Sequence, residues 1–353
     1  MIDPERTDTS GESWPHPFFD SRNTGTNLYA TPIKEQPSVS SLFNLHTGVS
    51  ALVTSREITV AASNETVALN EDGIRWEISS DAGGQTAASI ANGVVYVSSD
   101  GAITAVDLDT GEEYWTISHG TSYSTYPIID GSRLYVVASS VPSIRVYDAL
   151  DGTVHWTHNP PVGLSGIAVH DESVFGAGFS SDADGMIVRV DPGGEEEWTT
   201  PVAAPITVPP AILDETLFIG LRNGNVMAIN VHTGHVEWEI SVLDSLGGVL
   251  QTPLTITNRV VCVPANNGSV SYGLDRETGE ILWSVQTGTT LAPAVSDGDL
   301  VYFLGSNGIT AVDSRDGGTY WRVDQSISTR WAAFAGEELY FGGLDGTVYR
   351  VSN

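Results

Sequence analysis

Few residues in this 353-residue chain stand at spacings that chemistry uses. His232 and His235 are three apart and are of a type that ligates zinc. They flank Gly234 in what reads as a hairpin, where no helical face lines them up. His155 and His158 straddle Trp156 and Thr157 on an expected outer strand, and exposed packing accounts for them. Asp182, Asp184 and Gly185 hint at a calcium loop, but the downstream bidentate glutamate that such a loop needs is missing. Gly163-Leu164-Ser165-Gly166 approaches the nucleophile elbow of serine hydrolases without completing it, and reads as a tight turn. Cys262, the one cysteine, lies in the apolar run Val260-Val261-Cys262-Val263, so it forms neither an internal disulfide nor a thiolate cluster. No catalytic residue and no metal site is expected from these patterns. Arg330-Trp331 is different: a guanidinium beside an indole can stack on and ion-pair with a flat anionic ligand. The competing reading packs Trp331 into the core and leaves Arg330 to offset an acidic surface.

The elements that must position these residues are written in a repeat. Trp76, Trp115, Trp156, Trp198, Trp238, Trp283 and Trp321 recur every 38 to 45 residues, the period of a repeat architecture. One unit reads clearly. Thr86 to Ala91, Val94 to Ser98, Ala102 to Asp107 and Glu113 to Ile117 are short strands joined at Asn92-Gly93, Asp100-Gly101 and Asp109-Thr110-Gly111. Four antiparallel strands per forty residues describe a propeller blade. Asx-Gly pairs, which supply the positive φ of two-residue hairpins, sit between second and third strands at Asp100-Gly101, Asp184-Gly185, Asn223-Gly224, Asn267-Gly268, Asn307-Gly308 and Asp345-Gly346. The next turn places an Asp or Asn four residues before a Gly and that Gly four before the Trp, as in Asp107/Gly111/Trp115 and Asp275/Gly279/Trp283.

The segment Ala-Val-Asp-Leu-Asp-Thr-Gly-Glu-Glu-Tyr-Trp at 105–115, echoed at 273–283, resembles the pyrroloquinoline-quinone-type (PQQ-like) propeller repeat. The resemblance spans about residues 39–353, and Trp14-Pro15-His16 with Asp20 to Gly25 resembles the family's lead-in. It implies one propeller domain over 39–353 behind a lead-in at 1–38, with WD40-like blade architecture. Both enzymes and scaffolds share the repeat. The family's dehydrogenases hold a quinone and calcium over the central channel and carry bonded adjacent cysteines. This chain has one cysteine and short connections, so no cofactor is expected, with a PQQ-type quinone as the alternative.

Seven tryptophans suggest seven blades, but the C-terminus adds another. Residues 331–335, 339–343 and 346–352 read as three strands of an eighth blade that ends before its fourth. Val39 to Leu45 can supply that strand, with Phe43 at the tryptophan position, which closes the ring and covers two sheet edges. The expectation is an all-β, eight-bladed propeller closed by an N-terminal strand. Its inner strands begin near Ser50, Gln85, Thr125, Ser165, Thr207, Gln251, Leu291 and Arg330, which places Arg330, Trp331 and Gln251 at one channel mouth.

Charge narrows the partners. Fifteen basic residues face 44 acidic ones, for a net charge of −29. Such a surface repels phosphate backbones and anionic membranes, so neither nucleic acid nor lipid is an expected partner. The acids are dispersed through every repeat, as in haloarchaeal proteins that stay hydrated in brine. No apolar run is long enough to span a bilayer. Without a signal-like start the chain reads as cytoplasmic, or as cell-surface or secreted if an export signal or anchor lies upstream. The functional expectation is a non-catalytic, monomeric ring that binds another protein or a cell-surface component in high salt. It is similar to the propellers that serve as docking platforms in outer-membrane barrel assembly, though haloarchaea have no such membrane. The alternative is a quinone- or small-molecule-binding propeller, an oxidoreductase within that reading, that uses the Arg330/Trp331 mouth.

Overall fold

The computed structural model describes residues 13–45, 48–55, 58–62, 64–70, 72–79, 87–99, 101–118, 126–138, 142–180, 184–242, 250–265, 269–290, 292–324 and 329–352. Every regular element among them is a strand, and the strands form eight antiparallel sheets. Blade 2 shows the pattern: Ala87–Ala91 innermost, then Val94–Ser99, Ala102–Asp107 and the outer Glu113–Ser118. The other inner strands, in blade order, are Ala51–Ser55, Ile128–Asp130, Gly163–His170, Ala211–Leu213, Thr255–Ile256, Val295–Ser296 and Thr329–Ala335. Blade 8 takes its outer strand from the N-terminus: Ser38–Asn44 pairs with Thr347–Ser352. The eight-bladed ring expected from the sequence is therefore the architecture, closed at the expected seam.

Outer-strand tryptophans join the blades. Each lies opposite the residue two before the turn Asx, as Trp115 does to Ala105 and Trp238 to Ala228. The indole then leans on the next blade, where the turn glycine must lack a side chain. A Cβ on Gly111 would stand 2.7 Å from the ring of Trp76, and Gly111 also has a φ of +73°. Indole N–H groups donate across the seam to backbone carbonyls: Trp76 to Leu108, Trp156 to Pro192, Trp198 to Val231, Trp238 to Arg276 and Trp283 to Ser314. Trp321 meets no such turn, because blade 8 has no continuous third-to-fourth strand connection. It donates instead to Ile33 of the lead-in. Ile33 is fully buried, so the lead-in backbone substitutes for the missing turn.

Two expectations are corrected. Phe43 does not occupy the tryptophan position. It pairs with Val348, as Ile117 pairs with Ile103, while Ser40, opposite Arg350, stands where the indoles stand elsewhere. The bulge on this strand falls between Ser41 and Phe43, closer to the strand's end than in the other blades, and shifts the register. Gly185 does not serve a positive-φ turn either: it opens the strand Gly185–Val190, and its Cβ would lie 2.2 Å from the carbonyl oxygen of Ala204. Close approach of two chain segments requires glycine there. Gln85, Thr86, Asp100, Thr125, Asp182, Asn267, Gly268 and Leu291 lie outside the described residues.

Candidate functional site

The inner strand of a propeller blade has one edge facing the axis, and that edge needs hydrogen-bond partners. In this chain the lead-in supplies them. Trp14 pairs with Thr54 of blade 1. The carbonyl of Pro15 accepts from Ile90 N at 2.7 Å, and the His16 imidazole bonds the backbone of Ile129. The carbonyls of Ser21, Arg22, Thr24 and Gly25 accept from Val169, Ile212, Ile256 and Ser296 at 2.7 to 3.0 Å. The Asn27 amide reaches Phe334 O at 3.1 Å. These eight strand residues each stand two positions before their blade's first hairpin. Fourteen residues, Trp14 to Asn27, thus make one circuit of the axis and touch every blade in order, turning tightly between His16 and Phe19 and between Asp20 and Asn23.

The circuit is locked by side chains that carry their own polar partners. Asn23, at a φ of +58°, donates to Ile167 O at 2.7 Å and Pro210 O at 2.9 Å, bridging blades 4 and 5. Asp20 accepts from Thr24 N at 2.9 Å and from Arg22 Nε and Nη2. Burial raises the Asp20 carboxyl above the usual range, and Arg22 opposes that shift. His16 is buried and driven down to about 4 by desolvation. Its Nδ1 has no hydrogen-bond partner, and His16 lines a recess of about 20 Å³ with Tyr126, Ser165 and Pro209. A cavity of that size has room for about one water.

The residues singled out in sequence are placed as follows. Trp331 is 9% exposed and meets Tyr126 at 4.9 Å and Phe18 of the lead-in at 5.6 Å between ring centroids, so its indole is a layer of the central core. Arg330 lies in the strand Thr329–Ala335 where pairing skips from Thr329 to Trp331, a β-bulge; its side chain is outside the described residues. Gln251 is exposed, four residues before the strand Thr255–Ile256. The ring contacts of Trp331 are therefore with the lead-in and blade 3. Ser165 is structural: its hydroxyl donates to Ile206 O at 2.7 Å. His232 Nε2 and a Glu215 carboxylate oxygen lie 2.5 Å apart in an exposed contact. Among the described residues no group of three His, Cys, Asp or Glu is placed to hold a metal.

The lead-in expected at residues 1–38 has a role that its sequence position did not announce: it is part of the core. Its signal was present: Trp14, Phe18 and Phe19 lie within six residues, among prolines and small polar side chains. Such a composition belongs to a core rather than a leader. On the face that it closes, two recesses share Arg22. One, about 90 Å³, is lined by Phe19, Leu28, Tyr29, Leu213 and Ile256. The other, about 750 Å³, is lined by Ser21, Asp130, His170, Asp171 and Glu172. Burial raises the Asp130 carboxyl, against a hydrogen bond from Ser21 Oγ at 3.1 Å. Among the described residues no helix is long and apolar enough to cross a membrane.

Comparison with known proteins places this geometry. The family profile described as outer membrane protein assembly factor BamB matches residues 21–125, 63–181 and 183–335. Tetrathionate hydrolase of Acidithiobacillus ferrooxidans is 25% identical over 270 residues, covering 70% of this chain and 50% of that protein. Outer membrane protein assembly factor BamB of Moranella endobia is 25% identical over 253 residues, covering 63% of this chain and 62% of that protein. The chain thus spans between half and two thirds of the length of these relatives. The crystal structure of BamB from Moraxella catarrhalis superposes with a TM-score of 0.74 at 18% identity, over 90% of this chain and all of that one. Quinohemoprotein alcohol dehydrogenase from Comamonas testosteroni superposes with a TM-score of 0.76 at 14% identity, over 96% of this chain and 80% of that one. At such identities the likeness is one of fold.

Proposed function

Because the chain belongs to the outer membrane protein assembly factor BamB family of PQQ-like propellers, we propose that it is a non-catalytic platform, a rigid disc whose faces bind another protein or a cell-surface component. The observation that carries this reading is the lead-in circuit. It fills the axis with Phe18 against Trp331 and Tyr126, at the centre of a ring where a propeller enzyme keeps its ligand. Rigidity follows from the same contacts, since every inner strand is tied to one segment. The proposed setting is a salt-rich one, in the cytoplasm or at the cell surface: a net charge of −29 keeps the disc hydrated where salt screens its self-repulsion. The proposed working unit is a single ring without a resident cofactor.

Affinity capture with the tagged chain in molar KCl, quantified against a lead-in-deleted ring, tests the platform. A stoichiometric protein partner retained through salt washes supports it. A purified chain that carries stoichiometric quinone absorbance, or acquires it with added quinone and calcium, refutes it.

A second reading is a small-molecule site at the opposite mouth, using Arg330, Trp331 and Gln251. The bulge at Arg330 favours it, because β-bulges are frequent beside functional sites. Arg330→Ala together with Trp331→Ala would then weaken binding of flat anions such as quinone carboxylates. Unchanged binding ends that reading.

A further inference from the structure

The face closed by the lead-in displays apolar side chains in a way that the fold does not require. Asn27 is fully buried and Ala30 is 9% exposed, yet Leu28 and Tyr29 between them are 48% and 72% exposed. The backbone under them is fixed. Tyr29 N donates to Asn27 Oδ1 at 3.1 Å, Ala30 N to Asn27 O at 3.2 Å, and Thr31 N to Gly336 O at 2.8 Å. Two large hydrophobic side chains are thus held out over the 90 Å³ slot whose floor is Ile256 and Phe19. A tethered loop with displayed apolar side chains is preorganised for contact, because its ordering cost is met before binding.

Beside the slot, across Arg22, lies the larger trough. Asp171 and Glu172 project into it from a first hairpin whose two central residues both have left-handed φ, +48° and +58°. Asp171 is 80% exposed at its side chain. The nearby cations are already engaged. Arg22 gives Nε and Nη2 to Asp20 at 3.2 and 3.0 Å, and Arg133 faces Glu172 at 3.2 Å. Asp130 and Asp171 add two further carboxylates, with His170 3.8 Å from Asp171. The trough therefore presents net negative charge next to an apolar slot, and both open on the same face.

We propose that this face is a docking groove for an extended basic peptide segment of a partner protein, with a leucine or aromatic side chain beside Tyr29 and an arginine or lysine over Asp130 and Asp171. The inference rests on the platform reading and assigns its surface and partner chemistry. Charge complementarity selects the occupant: an acidic peptide would meet like charge, and a purely apolar one would leave the carboxylates desolvated and unpaired. In molar salt the Debye length falls to about 3 Å, so only the contact pair survives and the slot carries most of the affinity.

The test uses the full chain and a fluorescein-labelled peptide, Gly-Ser-Leu-Leu-Arg-Arg-Leu-Leu-Gly-Ser, read by anisotropy in 0.1 M and 2 M KCl. Control peptides replace both arginines by glutamate or all leucines by serine. The expected result is binding at least about tenfold tighter than either control. Leu28→Ser with Tyr29→Ser should weaken it about tenfold at both salts. Asp130→Asn with Asp171→Asn should weaken it about tenfold in 0.1 M KCl and only about twofold in 2 M. These four residues are half-buried or exposed, and matching melting temperatures verify that the variants fold.

Equal binding of the arginine and glutamate peptides overturns the proposal, as does binding indifferent to both variant pairs. Sedimentation that shows a dimer lost on Tyr29→Ser also overturns it, by assigning the face to a second copy. Peptide failure alongside a captured protein partner would leave the platform standing and move its contact surface elsewhere.

Discussion

Asn23 is the side chain on which the lead-in circuit can be tested most sharply. Replacing it with glycine keeps the left-handed backbone, since glycine accepts a φ of +58° without strain. What is lost is the pair of amide bonds to Ile167 O at 2.7 Å and Pro210 O at 2.9 Å, both in buried surroundings. Each carbonyl then sits without that donor, at a cost of about 1 to 1.5 kcal/mol apiece, so Asn23→Gly should lose about 2 to 3 kcal/mol. Asn23→Ala loses the same bonds and adds about 1 kcal/mol for an alanine in left-handed geometry. For 353 residues the unfolding entropy at about 2.1 cal/mol/K per residue is about 0.7 kcal/mol/K. The expected drop in melting temperature is then about 3 to 4 °C for glycine and about 5 °C for alanine. Differential scanning calorimetry at fixed KCl measures both. If Asn23→Gly melts with the parent, the bridge between blades 4 and 5 contributes nothing and the locking role given to the lead-in is wrong.

Deleting residues 1–37 keeps the closing strand Ser38–Asn44 but removes the circuit, including five backbone bonds to its carbonyls from five inner strands. At about 1 kcal/mol each, the melting temperature should fall by about 7 °C or more; an unchanged transition refutes the assignment. Trp198→Phe should cost about 1 kcal/mol more than Trp115→Phe in urea titrations. Trp198 donates to Val231 O at 3.0 Å, whereas the buried Trp115 Nε1 has no partner. Equal costs would show that the indole N–H plays no part between blades. The folded-state value of His16, about 4, lies below the ordinary 6.5, so the unfolded chain binds its proton first as pH falls. The stability contributed by neutral His16 is complete above pH 6.5 and declines by about 3 kcal/mol down to pH 4. His16→Asn should remove that decline relative to the parent, while the raised Asp20 and Asp130 carboxyls, which act in the opposite direction, remain common to both; parallel pH profiles would refute it.

Blade number and closure were legible because they are periodic. The Asx-Gly-Trp spacing repeats, and the unfinished strand set after Trp321 demands a partner. Register at the seam was not legible. Phe43 is aromatic but stands three residues past the tryptophan row, which Ser40 holds opposite Arg350, and the bulge that precedes that row in the other blades follows it here, between Ser41 and Phe43. The candidate pair Arg330-Trp331 was legible as an oddity among small inner-strand residues. Its meaning depended on Phe18, more than three hundred positions away, and no local pattern reports such a contact. The recesses beside Arg22 were invisible for the same reason, since their walls come from the lead-in and from hairpins of different blades.

Repeat arrays ordinarily behave as chains of neighbours, in which each unit senses only the ones beside it. The lead-in changes that arithmetic, because all eight blades share one short segment as a common neighbour. Loosening any blade loosens the hub for the rest, so the ring should melt as one body rather than unzip. The hub also acts as a gauge of circumference. Its successive contacts with eight inner strands fit a ring of eight, and gaining or losing a blade by duplication or deletion would leave it out of step. The N-terminal segment is thus matched, contact by contact, to the same blade number that the repeats supply.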